Sequence, residues 1–557
     1  MTARKWIVKN LHWFFFALVV LGTLYMDVWV ANWLLDGDAS QLMAKGWLIA
    51  QQRNLFTTDV YLTTEVCFFD TSAIAAFFFL FIRDWTTVRI LTTIVLQAWY
   101  VTGFLFLCRQ SRVSWPAAVT TAGMMLLPIS MSYARSVLYH LYYLQYFGDT
   151  FWLLYLIVRL VSTPEDRKQR WLWWLLGAAW FYIGTIGIRY MLIVGIPLIL
   201  YTFVTVLQKL KSYELNDLQM RHSKGAFWQN DAAWLLKIVM LTVVCFAAGY
   251  MIYSQILLPR FQPDDTSSTW FYPEVSAERY ADIFMGWLIA TGVRSSMLPL
   301  VGLRGCSLAA SLVLFGCLFG FSAKGLLERS QDPLSARLPR SLFLISFAAT
   351  TLIFAFETYD EFARFYELYY LPVIVMAFPV LAQELSGLRC RGVSAAKHLI
   401  CWVTCFCILF QGAYSLYFIR FERNEMDEWS GLWYTEMNTV DQLLDCVDFM
   451  QNNGYTHGFI DYWYANTMME MSDGTLNVAG LEADYVESDS LVIHDWGTFK
   501  SAFEPQNLPE KVMVFAKHKD CWLFEKNHPD ACLVHEGWYL NGYEVDSSLI
   551  TIGKERP

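Results

Sequence analysis

The chain has 557 residues, of which 56% are hydrophobic, 17% aromatic and only 16% charged, where ordinary soluble domains carry about a quarter charged residues. Several long apolar runs bounded by Trp and Tyr define a polytopic helical membrane protein. The net charge of −9 says little about partners, because much of the acid lies in the last third, and no basic stripe points to nucleic acid.

Arg4, Lys5 and Lys9 precede an apolar run over residues 11–35. That run is too long for a signal-peptide core and no small-residue cleavage site follows it, so an uncleaved first span with a cytoplasmic N-terminus is expected. Asp36-Gly37-Asp38-Ala39-Ser40 then opens a polar loop that lasts to Glu65. Two carboxylates stand where the chain leaves the bilayer, and the loop is long enough to fold back over it. We read this loop as the lip of an active site.

Residues 66–82 resemble a second span, but Asp70 interrupts them, and the apolar part left, about 12 residues, falls short of the roughly 20 that a crossing needs. If this segment does not cross, Arg109 and Arg112 fall on the cytoplasmic side, as do Arg159, Arg167, Lys168 and Arg170. The same side then receives Lys209, Lys211, Arg221 and Lys224, then Lys324, Arg329, Arg337 and Arg340, then Arg389, Arg391 and Lys397. A full crossing would send every cluster outward. Lys/Arg bias in short loops sets orientation, so the segment is expected to be re-entrant or interfacial.

The remaining spans are expected near 90–107, 115–133, 151–161, 171–187, 190–207, 234–258, 307–321, 342–356, 371–381 and 400–419, roughly eleven with the first. The apolar piece 283–301, broken by Gly286, Gly292 and Arg294, is read as re-entrant or surface-lying. Residues 1–420 thus form a membrane domain. Residues 421–557 are polar, with an amphipathic stretch over 440–450 and strand-like runs at 458–460, 511–515 and 549–552. They are expected to form a small extracytoplasmic α/β domain. The aromatic stretch 454–468 reads as a core strand and helix in preference to a carbohydrate platform. Most cysteines lie in apolar runs as small buried hydrophobes; Cys521 and Cys532 are open to disulfide pairing.

With the sides fixed, one face collects Asp36, Asp38, Glu65, Asp70, Arg135, Asp149, Arg189, Glu357, Asp360, Glu361 and Arg364. Ionisable groups beside a membrane are costly and usually functional. A carboxylate there suits a general base that takes the proton of an attacking hydroxyl. Arginines suit a phosphate, because the guanidinium fork matches its oxygens. Two alternatives stand beside this: Asp149 as a helix N-cap, and Arg189 and Arg364 as snorkelling or acid-paired side chains.

A first span, the Asp36-Gly37-Asp38-Ala39 motif in a long first loop, and Ala44-Lys45-Gly46 in the helix after it resemble the GT-C superfamily of polytopic glycosyltransferases that use lipid-phosphate sugars. The nearest pattern is that of the protein O-mannosyltransferases and bacterial aminoarabinose transferases. Glu65 before residues 66–82, Asp149 after the third span, and Tyr369-Tyr370-Leu371-Pro372 near a late span extend the match. The usual Lys-Pro-Pro after the acidic residue is absent: Val66-Cys67 follow Glu65.

The resemblance implies an inverting transfer from a polyprenyl-phosphate sugar to a hydroxyl of a glycan, lipid or protein acceptor, with Asp38 or Asp36 as base. Asp149 would join them as a catalytic residue, and Glu65, Arg135, Arg189, Tyr190, Arg364 and Tyr369 would bind substrate and phosphate. It implies no cofactor and no metal, although Asp38 and Asp149 offer oxygen ligands to a divalent ion. Two readings compete: a transporter or flippase of a lipid-linked or anionic solute, which Arg189 between two apolar runs fits best, and a metal-dependent oligosaccharyltransferase-like enzyme.

Overall fold

The computed structural model describes residues 3–31, 35, 37–62, 65–139, 142–162, 170–216, 231–261, 277–293, 302–327, 333–356, 366–388, 393–421, 440–494 and 496–552. Asp36, Arg364, Glu357, Asp360, Glu361, Arg294, Arg167, Lys168, Arg221, Lys224, Arg329, Arg389 and Arg391 lie outside the described residues.

The membrane domain opens with helix α1 (Ala3–Val30). Helix α2 (Gly37–Gln52) and the short α3 (Thr71–Phe79) follow, then α4 (Trp85–Gln110). Eight described helices are long and apolar enough to cross a membrane, Asn10–Val30, Trp85–Gln110, Met191–Gln208, Ala232–Phe261, Leu303–Ala323, Leu334–Phe356, Leu368–Gly387 and Ala395–Arg420. A ninth candidate is a broken pair. The expected span at 115–133 bends by 99° between Trp115–Leu126 and Met131–Leu138, because Pro128 lies at the break and cannot donate to a helical ladder. Helix α7 (Tyr142–Ser162) packs on α4, and α8 (Arg170–Ile186) packs on α7 and on the helix Asp231–Ile252. We label Trp115–Leu126 α5 and Met131–Ala134 α6.

The segment 66–82 does not cross. Its helix α3 has 9 residues, about 14 Å at 1.5 Å per residue, less than half of a hydrocarbon core. It also begins and ends on one face: α2 before it and Trp85 after it both touch the C-terminal domain, the latter through Trp85 N–H donating to Asp473 Oδ1 at 2.9 Å. Asp70 caps α3, accepting from Ser72 and Ala73 N–H. The Gly46 position brings α3 against α2, since a Cβ there would lie 2.8 Å from the Ser72 carbonyl. The 14-residue helix Ala277–Ala290 is likewise short of a crossing.

The opposite face has its own ionic cluster. Glu384 pairs with Arg340 at 2.9 Å and with Lys397 at 2.7 Å. Ser114 N–H donates to Ser386 Oγ at 2.8 Å, and Arg159 donates to Gln110 at 3.0 Å. Basic residues beside three separate loops, Arg159, Arg340 and Lys397, thus share one side, as the charge pattern anticipates.

The C-terminal domain is a seven-stranded sheet of β1 (His457–Asp461), β2 (Asn477–Leu481), β3 (Leu491–Ile493), β4 (Lys511–Lys517), β5 (Cys532–Glu536), β6 (Leu540–Asp546) and β7 (Ile550–Ile552) in the order β5-β6-β4-β1-β2-β3-β7. β1 pairs in parallel with β2 and β4, and the helix Tyr462–Met471 makes the crossover between β1 and β2. Alternation along the strands sends Phe459, Val512 and Val514 into one core and Ile460, Met513 and Phe515 into another. The second core is closed by the amphipathic helix Val440–Asn452 through Leu443, Val447 and Met450. Cys521 and Cys532 are both free thiols.

This domain is anchored on α2 and α4. Arg89 and Glu470 form a bidentate ion pair with side chains only 2% and 4% exposed, and Arg89 also reaches Ser40. Tyr61 of the first loop exchanges main-chain hydrogen bonds with Gly497 and Thr498 at 3.0 Å each. Asp59 accepts from Ser501 N–H at 2.7 Å, and Trp47 stacks on Phe499 at 6.1 Å.

Candidate active site

Asp38, Gln41, Leu42 and Lys45 lie at i, i+3, i+4 and i+7 on α2 and form one stripe along a cavity of about 180 Å³. The first loop adds Leu62, Glu65, Cys67, Asp70 and Thr71. Tyr143, Gln145 and Tyr146 come from α7, Ile186, Arg189 and Tyr190 from the end of α8 and beyond, Tyr369 from a late helix, and Trp496 from the C-terminal domain. Gly187 ends α8 at φ +147, a conformation that a side chain resists, and turns Arg189 into the cavity.

Each carboxylate on the wall meets a cation. Asp38 Oδ2 stands 3.9 Å from Arg135 of the π-helical turn after α6, and its Oδ1 accepts the Tyr462 hydroxyl at 3.2 Å. Glu65 pairs with Arg189 Nε at 3.1 Å and accepts the Tyr146 hydroxyl. Asp70 accepts from Lys45 Nζ at 2.7 Å, and the same ammonium donates to the Cys67 carbonyl at 2.7 Å. Asp38 remains 35% exposed, so it is open to a reactant, whereas Glu65 is 14% exposed. The Arg189 guanidinium lies over the rings of Tyr143, Tyr146 and Tyr369 at 5.8, 5.1 and 5.8 Å. Such ring faces hold a cation while leaving its fork usable. Desolvation and the neighbouring Asp70 carboxylate push the Cys67 thiol well up from its ordinary value.

The structure sorts the anticipated residues. Asp38, Glu65, Arg189, Tyr190 and Tyr369 all line the cavity, and Arg135 backs Asp38. Asp149 is not among the lining residues. It lies in the body of α7, seven residues past the helix start, so it is not an N-cap. There it accepts from the Tyr190 hydroxyl at 2.7 Å and from Trp99 Nε1 at 2.8 Å. Asp36 and Arg364 lie outside the described residues. Sequence reasoning passed over Lys45, Gln41, Tyr143, Tyr146, Tyr462 and Trp496; the i, i+3, i+4, i+7 stripe on α2 was the signal available for the first two. Among the described residues, no three His, Cys, Asp or Glu side chains are grouped to hold a metal ion.

No family model matches the sequence, and no curated protein matches it either. Among solved structures, ArnT from Cupriavidus metallidurans, crystallised bound to undecaprenyl phosphate, is similar at a TM-score of 0.53 and 12% identity, covering 99% of this chain and 100% of that one. The apo oligosaccharyltransferase of Archaeoglobus fulgidus aligns at 0.49 and 11% identity over 92% of this chain and 70% of its own. The chain is therefore a polytopic helical membrane protein with an appended α/β domain. Its fold is shared with that ArnT structure, from the first span through the terminal sheet.

Proposed function

We propose that the protein is a glycosyltransferase that moves a sugar from a polyprenyl-phosphate donor to an acceptor hydroxyl, with inversion at the anomeric carbon. The observation that carries this reading is the half-open Asp38 carboxylate on the same cavity wall as Lys45 and Arg189. The acceptor hydroxyl oxygen attacks the anomeric carbon while the bond from that carbon to the phosphate oxygen breaks. Asp38 takes the hydroxyl proton, and the electron pair of the broken bond leaves on the polyprenyl phosphate. Lys45 and Arg189 offset the charge that builds on the leaving phosphate. Arg135 and Tyr462 hold Asp38 in position, and Asp149 orients Tyr190.

The fold shared with a protein crystallised on undecaprenyl phosphate supports the donor class. The Lys/Arg pattern supports an extracytoplasmic site. Arg189, the residue that most favoured a transporter, sits in this cavity paired with Glu65 instead of standing alone in a span. The test is the purified protein in lipid nanodiscs with an undecaprenyl-phosphate-linked sugar and a saccharide acceptor. Transfer predicts release of undecaprenyl phosphate and a product of inverted configuration. Intact donor that only changes leaflet in proteoliposomes would make the protein a flippase.

A further inference from the structure

Given sugar transfer at the Asp38 cavity, we propose that the C-terminal domain supplies its acceptor half: Trp496, braced by Tyr462 and His494, forms a saccharide-binding subsite facing Asp38.

Two walls of different chemistry bound the cavity. The membrane domain contributes Lys45 and Arg189, which suit a phosphate. The C-terminal domain contributes Trp496, a half-buried indole. Its ring is fixed by neighbours. Tyr462 meets it edge-on at 5.5 Å and 83°, His494 lies 5.5 Å away, and Tyr462 and His494 pack on each other at 5.1 Å. Tyr462 and His494 thus hold the indole in place at the cavity that it lines.

The mounting is equally rigid. Gly497, next in sequence, has φ +68, and a Cβ there would come within 2.6 Å of Gln41 Cγ. Its N–H donates to the Tyr61 carbonyl at 3.0 Å. The platform is thus bolted directly to the helix that carries Asp38. Polar groups ring it: Gln41 on α2, the Asp38 carboxylate, and His494 with Glu482 at 3.3 Å.

A pyranose matches this layout. Its axial C–H groups make an apolar face that fits an indole, and its hydroxyls radiate to the rim. A bare hydrocarbon chain would add no polar contact at that rim. Tyr462 links the two functions, since its ring braces Trp496 and its hydroxyl reaches Asp38 Oδ1 at 3.2 Å. A saccharide hydroxyl seated on the platform is thereby brought to the base.

The test uses saturation-transfer NMR on the full chain in nanodiscs, with methyl β-D-glucopyranoside and N,N′-diacetylchitobiose as probes. The wild type is expected to saturate ring C–H protons of at least one probe. Trp496→Ala should cut the signal by about fivefold, and Trp496→Phe should cut it less. Trp538→Ala, at an indole on the same domain that is 78% exposed, should leave it unchanged. Absence of signal from both probes in the wild type, or equal signal in Trp496→Ala, overturns the subsite. Undecaprenyl-phosphate binding is measured on the same samples. Its retention in Trp496→Ala shows that the variant is folded, and its absence in the wild type counts against the donor reading without touching the saccharide result.

Discussion

Tyr462 of the C-terminal domain donates its phenolic hydrogen bond to Asp38 at the start of α2 across 3.2 Å, although 424 positions separate them in the chain. The candidate base is therefore held from both domains, with Arg135 on the membrane side. Hydrogen bonds to charged groups are worth about 1.5–3 kcal/mol. Tyr462→Phe should lower kcat by about tenfold or more and leave the KM for donor unchanged. Steady-state kinetics with varied donor would check this; a rise in KM alone would give Tyr462 a binding role instead.

The interface between the domains centres on the buried Arg89–Glu470 pair. Removing one partner leaves a buried charge without compensation, at a cost of about 3–5 kcal/mol. Arg89→Ala and Glu470→Ala should each lower the thermal midpoint sharply and expose the C-terminal domain to protease. The double variant Arg89→Met/Glu470→Leu should recover much of the loss. Protection equal to wild type in Arg89→Ala would show that the pair does not hold the domain.

Arg189 combines a 3.1 Å ion pair to Glu65 with three aromatic faces. A lysine keeps the charge but loses both the planar stack and the fork. Arg189→Lys should weaken donor use by about tenfold in kcat/KM, and added inorganic phosphate should inhibit the variant less than the wild type.

His457 gives the C-terminal domain a pH signature. Burial holds its ring below the ordinary value of 6.5, and the neutral ring fits its contacts with Ala502 O at 3.1 Å and Thr456 Oγ at 3.0 Å. The unfolded chain takes up the proton first as pH falls through 6.5, so stability drops below that point and levels off beneath the folded-state value. Denaturant midpoints of the domain from about pH 7.5 to about pH 5 should fall accordingly, and His457→Gln should flatten the slope.

Much of this layout is legible in the sequence. The short apolar run at 66–82 and the Lys/Arg clusters together determine that it stays on one face, because orientation is a sum over many loops and tolerates a local error. Glu65, Arg189 and Tyr369 stand out as polar groups beside apolar runs. Asp149 reads the same way locally, but helix rotation sends it behind Tyr190, and single-residue direction is not written in composition. Lys45 hides in a stretch of mixed polarity, and Tyr462 and Trp496 hide among core aromatics. Their roles come from a docking contact between distant segments, which no periodicity records.

The central claim is that Asp38 is the base of a sugar transfer, and Asp38→Asn tests it most directly. The asparagine keeps the shape and the contact with Tyr462 but accepts no proton. With an undecaprenyl-phosphate-linked sugar in nanodiscs, single-turnover transfer should fall by about 100- to 10,000-fold while donor binding is retained. Transfer at the wild-type rate in that variant would contradict the account.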